Sequence, residues 1–276
     1  MKKGLYITFL VIAVIIAMII GSYRHFAISI RPWRSDSGTN GNGGSFSATE
    51  ETGEFGFDEE VSDLEIQLCV GDVQIETGST CQVTWGCNHK ELVPECSITD
   101  GKLLIKQDES AKRLIATKKT CKIVITLPTD KKPESMKVDL GVGDMELTAC
   151  QAASADLDIG TGDVRMEGVT FDRGLIDLGT GDIKANDSKL TSMTVEVGTG
   201  DIKMENVSFS ELSTDIGTGD LKLSGLEEIR DMELELEIGT GGILVDGEEK
   251  GDKMHLHGEG SKLSADIGTG DIELES

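Results

Sequence analysis

The chain has no basic stripe. It carries 50 acidic residues against 26 basic ones, a net charge of −24. A phosphate backbone would be repelled, and no Lys/Arg cluster is present to displace counterions, so nucleic-acid binding is excluded as a function class. No Cys-x-x-Cys pair occurs among the six cysteines, which argues against a zinc site. Histidine is scarce as well. His255 and His257 fall two apart on one strand face, where a solvated face is the plainer reading than a shared metal. His89 neighbours Cys87 without the Asp or Asn that would complete a Cys-His nucleophile. From residue 141 to 223, apolar spacing of three and four, the mark of a buried helix face, is missing.

What stands there instead is a repeat. Gly160-Thr161-Gly162-Asp163 returns as Gly179-Thr180-Gly181-Asp182, Gly198-Thr199-Gly200-Asp201 and Gly217-Thr218-Gly219-Asp220, each 19 residues after the last. Gly141-Val142-Gly143-Asp144 stands at the same spacing before the first, and Gly239-Thr240-Gly241-Gly242 and Gly268-Thr269-Gly270-Asp271 follow after longer steps. A fixed period of this length marks stacked units. Columns in one register flank each corner, apolar but for Thr214: Leu157, Ile176, Val195 and Thr214, then Ile159, Leu178, Val197 and Ile216 before it. After it come Val164, Ile183, Ile202 and Leu221, then Met166, Ala185, Met204 and Leu223. They alternate with polar residues, the two-residue period of a strand with one buried face. The spacing predicts a β-solenoid with two short strands per coil of about 19 residues. At the corner, glycines take positive φ and Asp hydrogen-bonds nearby backbone to hold the turn.

Ahead of the repeats the chain reads as anchor, tether and fold. Lys2 and Lys3 precede an apolar run from Leu5 to Ser22 that holds no charge, at the short end of what spans a bilayer. No small-x-small cleavage site and no lipidation cysteine follow this run, so it reads as an uncleaved transmembrane anchor within 1–30, its span about 5–22. Arg24, Arg31 and Arg34 balance the lysines, so the flanking charges set no orientation. Residues 31–56, with Gly41-Asn42-Gly43-Gly44-Ser45, hold too little apolar surface to fold and read as a flexible linker. The folded domain is expected over 57–276, room enough for one core. Leu64, Ile66 and Leu68 alternate, Val70-Gly71-Asp72-Val73 is a first corner, and Cys81, Val83 and Trp85 share a face. Asp100-Gly101 signals a turn before Leu103 and Ile105. Cys121, Ile123, Ile125 and Leu127 form the best alternating strand, closed by Pro128.

The Gly-Asp-Val corner at Gly71 to Val73, the Asp-Gly-Lys-Leu turn at Asp100 to Leu103, Ile125-Thr126-Leu127-Pro128 and the run of Gly-Thr-Gly-Asp-Ile/Val corners occur in this order. Over residues 60–276 this resembles a bacterial "putative adhesin" family, a domain of unknown function built of β-strand repeats. The resemblance implies an exported or membrane-associated envelope protein, in some members tied to envelope stress, and supplies no catalytic residue. With the cysteine usage, it places the repeat domain outside the cytoplasm at the cell membrane.

The charge is uneven. From Asp139 onward there are 32 acidic and 10 basic residues, a net of −22, against 18 and 16 before it. Asp139, Asp158, Asp177, Glu196 and Asp215 form one outward column, and corner residues Asp144, Asp163, Asp182, Asp201 and Asp220 another. Arg165, Lys184, Lys203 and Lys222 line up across the corner. Stacking puts like charges about 4.8 Å apart, which needs compensation. Either the basic column pairs with an acidic one while corner Asp side chains bond backbone amides, or a ladder of Ca²⁺ ions lies on the acidic columns. Asp271, Glu273 and Glu275 in the last strand would guard an open sheet edge. Cys69, Cys81, Cys87, Cys96, Cys121 and Cys150 allow several disulfides, Cys87 with Cys96 closing the loop that holds Pro94, or buried thiols, which suits Cys121.

No catalytic, cofactor-binding or metal-binding residue set is assigned. The expected function is a non-enzymatic, single-pass envelope protein whose acidic solenoid meets an unknown protein or cell-surface partner, or makes an envelope-stress regulatory contact. A Ca²⁺-dependent adhesion module is the alternative. A polysaccharide-active β-helix enzyme is a further one, disfavoured because the five regular corners leave no room for a long loop.

Overall fold

The structure, a computed structural model, describes residues 51–276 except 59, 116 and 130. The expected transmembrane anchor and most of the linker lie outside the described residues. No helix among the described residues is long and apolar enough to cross a membrane.

Each repeat is one coil. In the coil from Gln151, the strand Gln151–Thr161 runs along one sheet, the chain turns at Gly162-Asp163, and Val164–Glu167 returns along the other. Leu157, Ile159, Val164 and Met166 point inward and are buried, while Asp158, Arg165 and Glu167 are exposed. Burying such a side chain contributes about 1.5–3 kcal/mol, realised only where the next coil covers it. Parallel pairing sets Leu157 beside Val138 and Ile176, and Val164 beside Met145 and Ile183. The result is a 12-stranded and an 11-stranded sheet with the core between them.

A second corner closes each coil. Ala149, Gly168, Asp187, Asn206 and Gly225, again at the repeat spacing, take left-handed φ of 48 to 71°. Four of the five are Gly, Asn or Asp, the residues that tolerate this region best.

The order of coils in space departs from the order in sequence at both ends. The strands Asp63–Val70 and Asp72–Gly78 lie between Ser135–Val142 and Met145–Thr148 on one side and Lys102–Lys106 and Cys121–Pro128 on the other. At the far end, Lys262–Thr269 and Ile272–Leu274 lie between Glu211–Thr218 and Leu221–Ser224 on one side and Glu233–Thr240 and Ile243–Val245 on the other. The longer steps to Gly239 and Gly268 are thus an excursion and a return: the chain skips a place, builds the outer coil, then fills the gap. Antiparallel strands close both ends. Glu51–Gly56, Gln82–Cys87 and Glu95–Thr99 do so at one, Glu248–Glu249 and Lys253–Leu256 at the other.

Two expectations are corrected here. The linker does not run to residue 56, because Glu51–Gly56 pairs through its backbone with Gln82–Cys87 despite its low apolar content. Asp271, Glu273 and Glu275 do not guard an edge, since their strand lies inside the sheet and Glu273 and Glu275 pair with Lys222 at 2.8 and 3.2 Å.

Gln107 completes the inner end. The strand Lys102–Lys106 pairs only as far as Gln67, leaving Cys69 and Val70 without a backbone neighbour on that side. The buried Gln107 side chain takes its place. Its Oε1 accepts from the Cys69 and Val70 N–H groups at 3.0 and 3.1 Å, and its Nε2 donates to the Val70 and Leu92 carbonyls at 2.8 Å. One amide side chain thus stands in for a missing peptide group. Gln107→Leu, of similar bulk, leaves these buried groups unpaired and is expected to cost on the order of 2–4 kcal/mol. Urea unfolding of residues 51–276 measures it, and a loss below about 0.5 kcal/mol would remove this role for Gln107.

Candidate functional site

The repeat corner is built from close approach. A Cβ on Gly160 would sit 2.6 Å from the Gly141 carbonyl oxygen, and one on Gly162, whose φ is +149°, only 1.8 Å from that of Gly143. The first glycine is therefore required by space and the second by both space and conformation. Of the two, only Gly162 takes positive φ.

With the coils this close, each corner Asp reaches its neighbour. The N–H of Asp144 donates to Asp72 Oδ1, Asp163 to Asp144, Asp182 to Asp163, Asp201 to Asp182, Asp220 to Asp201, Asp271 to Asp220 and Gly242 to Asp271, at 2.7 to 3.1 Å. The expected bond from corner Asp to backbone is present, but it runs between coils rather than within the turn. Because the ladder visits Asp271 before Gly242, it follows the swapped order of the last two coils. Gly242 lacks a carboxylate where no further coil waits to use one.

The predicted outward columns are present and longer. Asp139, Asp158, Asp177, Glu196 and Asp215 stand in register, and Asp266 and Glu237 extend them along the 11-stranded sheet. All seven residues are exposed. Glu237 pairs with Lys253; the other six form no ion pair among the described residues. Partial desolvation, then repulsion from Asp177, Asp139 and Asp156, holds the Asp158 carboxyl above the usual carboxylate range. At the corner, burial likewise raises Asp72, opposed by the hydrogen bond from Asp144 N–H and reinforced by the Asp144 charge.

The basic column pairs unevenly. Arg165 meets Asp163 at 3.0 Å and Lys222 meets Glu273 and Glu275, whereas Lys184 and Lys203 make no ion pair among the described residues. It compensates the opposite acidic face at no point, because it lies on the other sheet.

No group of three or more His, Cys, Asp or Glu side chains is arranged to hold a metal ion among the described residues. Each corner carboxylate from Asp72 to Asp271 has one oxygen committed to an amide. His255 faces Glu235 across the closing hairpin, and His257 lines a depression of about 570 Å³ with Arg230, Asp231 and Glu259. His89 Nδ1 accepts from the Glu91 N–H at 3.3 Å, capping a short 3₁₀ turn.

Cys87 and Cys121 face each other across an antiparallel pair and form a disulfide 34 residues apart in sequence. This corrects both the Cys87–Cys96 pairing and the buried thiol at Cys121: strand pairing, not loop closure, brings the sulfurs together. Cys96 lies instead opposite Ile105. Burial pushes the Cys96 thiol up to about 11 and that of Cys150 to about 12, so neither is a reactive thiolate at neutral pH.

Parallel coils, two sheets and a glycine–aspartate corner define a β-solenoid repeat domain. The chain belongs to the Toastrack DUF4097 family, whose pattern matches residues 61–267. No curated protein matches it. Among solved structures it is similar to a "putative adhesin" from Bacteroides fragilis at 14% identity, covering 83% of this chain and 98% of that one, with a TM-score of 0.45. A "putative cell adhesion protein" from Clostridium sporogenes gives 14% identity, 82% and 99% coverage and a TM-score of 0.39. A "putative lipid binding protein" from Parabacteroides distasonis gives 11%, 83%, 97% and 0.44. At these values the likeness says nothing of what this chain binds.

Two outcomes follow for the corner and the column. Asp182→Ala removes one rung and is expected to cost about 1 kcal/mol, while Asp182→Asn keeps an acceptor oxygen and loses less than half of that. Equal losses in denaturant unfolding would show that the rung does not stabilise. Asp158 has a raised folded pKa, so its stabilising share is full below its unfolded value and falls away as pH rises through the folded value. Asp158→Asn is therefore expected to stabilise at pH 7, by less than about 1 kcal/mol because the site is exposed. The gain should vanish near pH 3, and the same gain at both pH values would contradict the repulsion.

Proposed function

We propose that this chain is a non-enzymatic bacterial envelope protein, held at the cell membrane by its N-terminal segment. Its acidic solenoid face then binds a cationic partner outside the cytoplasm. The observation that carries this reading is the column from Asp139 to Glu237, seven exposed carboxylates in register on one sheet. Like charges about 4.8 Å apart repel, and a cationic partner relieves that repulsion while releasing bound counterions. A protein surface or a cell-surface polymer rich in cationic groups fits it equally, as does an envelope-stress contact with a basic regulator.

The anchor reading is supported by the uncharged run from Leu5 to Ser22. Placement outside the cytoplasm is supported by the Cys87–Cys121 disulfide, since such bonds persist in oxidising compartments. The absence of catalysis is supported by the regular corners, which carry no long loop; depressions of about 570 and 280 Å³ lie where the coils are interrupted. An anionic polysaccharide would in addition meet a repelling face. The Ca²⁺ module is weakened by the commitment of corner carboxylates to amides.

The test uses residues 51–276 and a fluorescent ten-residue lysine peptide. Binding is expected to weaken steeply with salt. It should fall at least tenfold in the variant carrying Asp139→Asn, Asp158→Asn, Asp177→Asn, Glu196→Gln and Asp215→Asn. Unchanged binding in that variant would overturn the assignment of the face. In parallel, millimolar Ca²⁺ is expected to shift Tm no more than Mg²⁺ does at equal ionic strength. A rise specific to Ca²⁺ would restore the adhesion module, because a ligand at 100 times its Kd adds about 2.7 kcal/mol.

A further inference from the structure

The last coil in sequence fills a slot. The strands Lys262–Thr269 and Ile272–Leu274 enter between two coils that are already complete, and both walls are parallel strand edges in full register. Any second copy of the same coil would meet identical partners there: Thr218 and Thr240 along one sheet, Leu221 and Ile243 along the other, Asp220 and Gly242 at the corner.

The seam on one side of the slot is the least satisfied place in the core. In the inward column Leu157, Ile176 and Val195 are followed by Thr214 and then Ala265. Thr214 is 2% exposed and its Oγ1 has no hydrogen-bond partner, the one such buried side-chain atom among the described residues. A buried hydroxyl left unpaired weakens the contact that carries it. The coil is otherwise held by Leu263, Ile267, Ile272 and Leu274, all fully enclosed in the core, and by polar contacts at the surface. Lys222 pairs with Glu273 and Glu275, Lys262 with Glu233 at 3.6 Å, and Asp246 Oδ1 accepts from the Ser276 N–H and hydroxyl at 2.9 and 3.0 Å. Exposed pairs of this kind are worth little and are screened by salt. The coil is joined to the closing hairpin by His257-Gly258-Glu259-Gly260-Ser261, a connection with two glycines.

We propose that this coil, residues 262–275, exchanges between two copies of the chain, each filling the other's slot, so that the protein forms reciprocal dimers. Exchange remakes every backbone bond and side-chain contact of the slot, including the Thr214 seam. The closed monomer and the exchanged dimer then differ mainly in the 257–261 connection and in concentration. In a stacked-repeat fold a coil opens at the expense of its nearest neighbours rather than of the whole core. The exchanged coil brings Asp266 back to the same place in the acidic column, so exchange leaves that face intact, and this inference and the cationic-partner reading fail independently.

The experiment mixes ¹⁵N-labelled and unlabelled residues 51–276, which carry the complete core, at high concentration and follows them by native mass spectrometry. Separately, a fluorescent peptide of residues 259–276 is added to the unlabelled protein. Mixed-mass dimers are expected, together with incorporation of the peptide and none of a scrambled peptide. Thr214→Val, which removes the unpaired hydroxyl at nearly constant shape, is expected to slow peptide incorporation at least fivefold. Dimers that form without taking up the peptide would mean contact through an outer surface and would overturn the proposal. So would a protein that stays monomeric and excludes the peptide, or equal incorporation by the variant and the parent.

Discussion

The structure depends on how closely one coil's backbone approaches the next at the corner. Neighbouring parallel strands lie about 4.8 Å apart, and at Gly160 and Gly162 that distance leaves no room for a side chain. Glycine is therefore imposed twice per coil. The same proximity lets an aspartate oxygen reach the amide of the following coil, so a residue that ordinarily serves its own turn fastens two coils together. Once the corner is fixed, the constant repeat period fixes the columns, and the buried and charged faces follow from strand alternation.

The acidic face is then a consequence as well as a feature. Identical coils stacked in register place identical charges side by side, and at Asp158 their repulsion adds to partial desolvation, the larger cause, in holding the carboxyl above its usual range. A solenoid whose core is worth several kcal/mol per coil tolerates this repulsion. The ends need a different solution, because an open parallel edge would recruit another chain. Here the coil first in sequence and the coil last in sequence are each covered by another, and antiparallel strands close the stack. The side-chain amide of Gln107 fills the one stretch of edge that the covering strand does not reach.

Much of this was legible in the sequence, because the repeat writes its contacts at fixed spacing. The four inward columns, the Asp column and the corner all stand where the spacing put them. The second corner, at Ala149, Gly168, Asp187, Asn206 and Gly225, keeps the same spacing, but its residues differ in type and so hide the column. Gly242 carried the signal for the outermost coil, since only a coil with nothing beyond it can spare the carboxylate. What the sequence could not carry is non-local and unrepeated. The pairing of Cys87 with Cys121 depends on two strands meeting antiparallel, and the strand Glu51–Gly56 is held by backbone bonds that leave no apolar pattern. The partner of the acidic face left no mark either: charge gives the sign of the surface that fits it, and no more.

Hydrogen exchange at the corner amides of residues 51–276, resolved by NMR, tests the central claim most directly. The ladder predicts protection at Asp163, Asp182, Asp201 and Asp220, and equally at Asp271 and Gly242, the two amides that the swapped coil order connects. Asp271 and Gly242 exchanging like unstructured amides, while the other four stay protected, would contradict the placement of the last coil between its neighbours. Free exchange at all six would contradict the ladder itself.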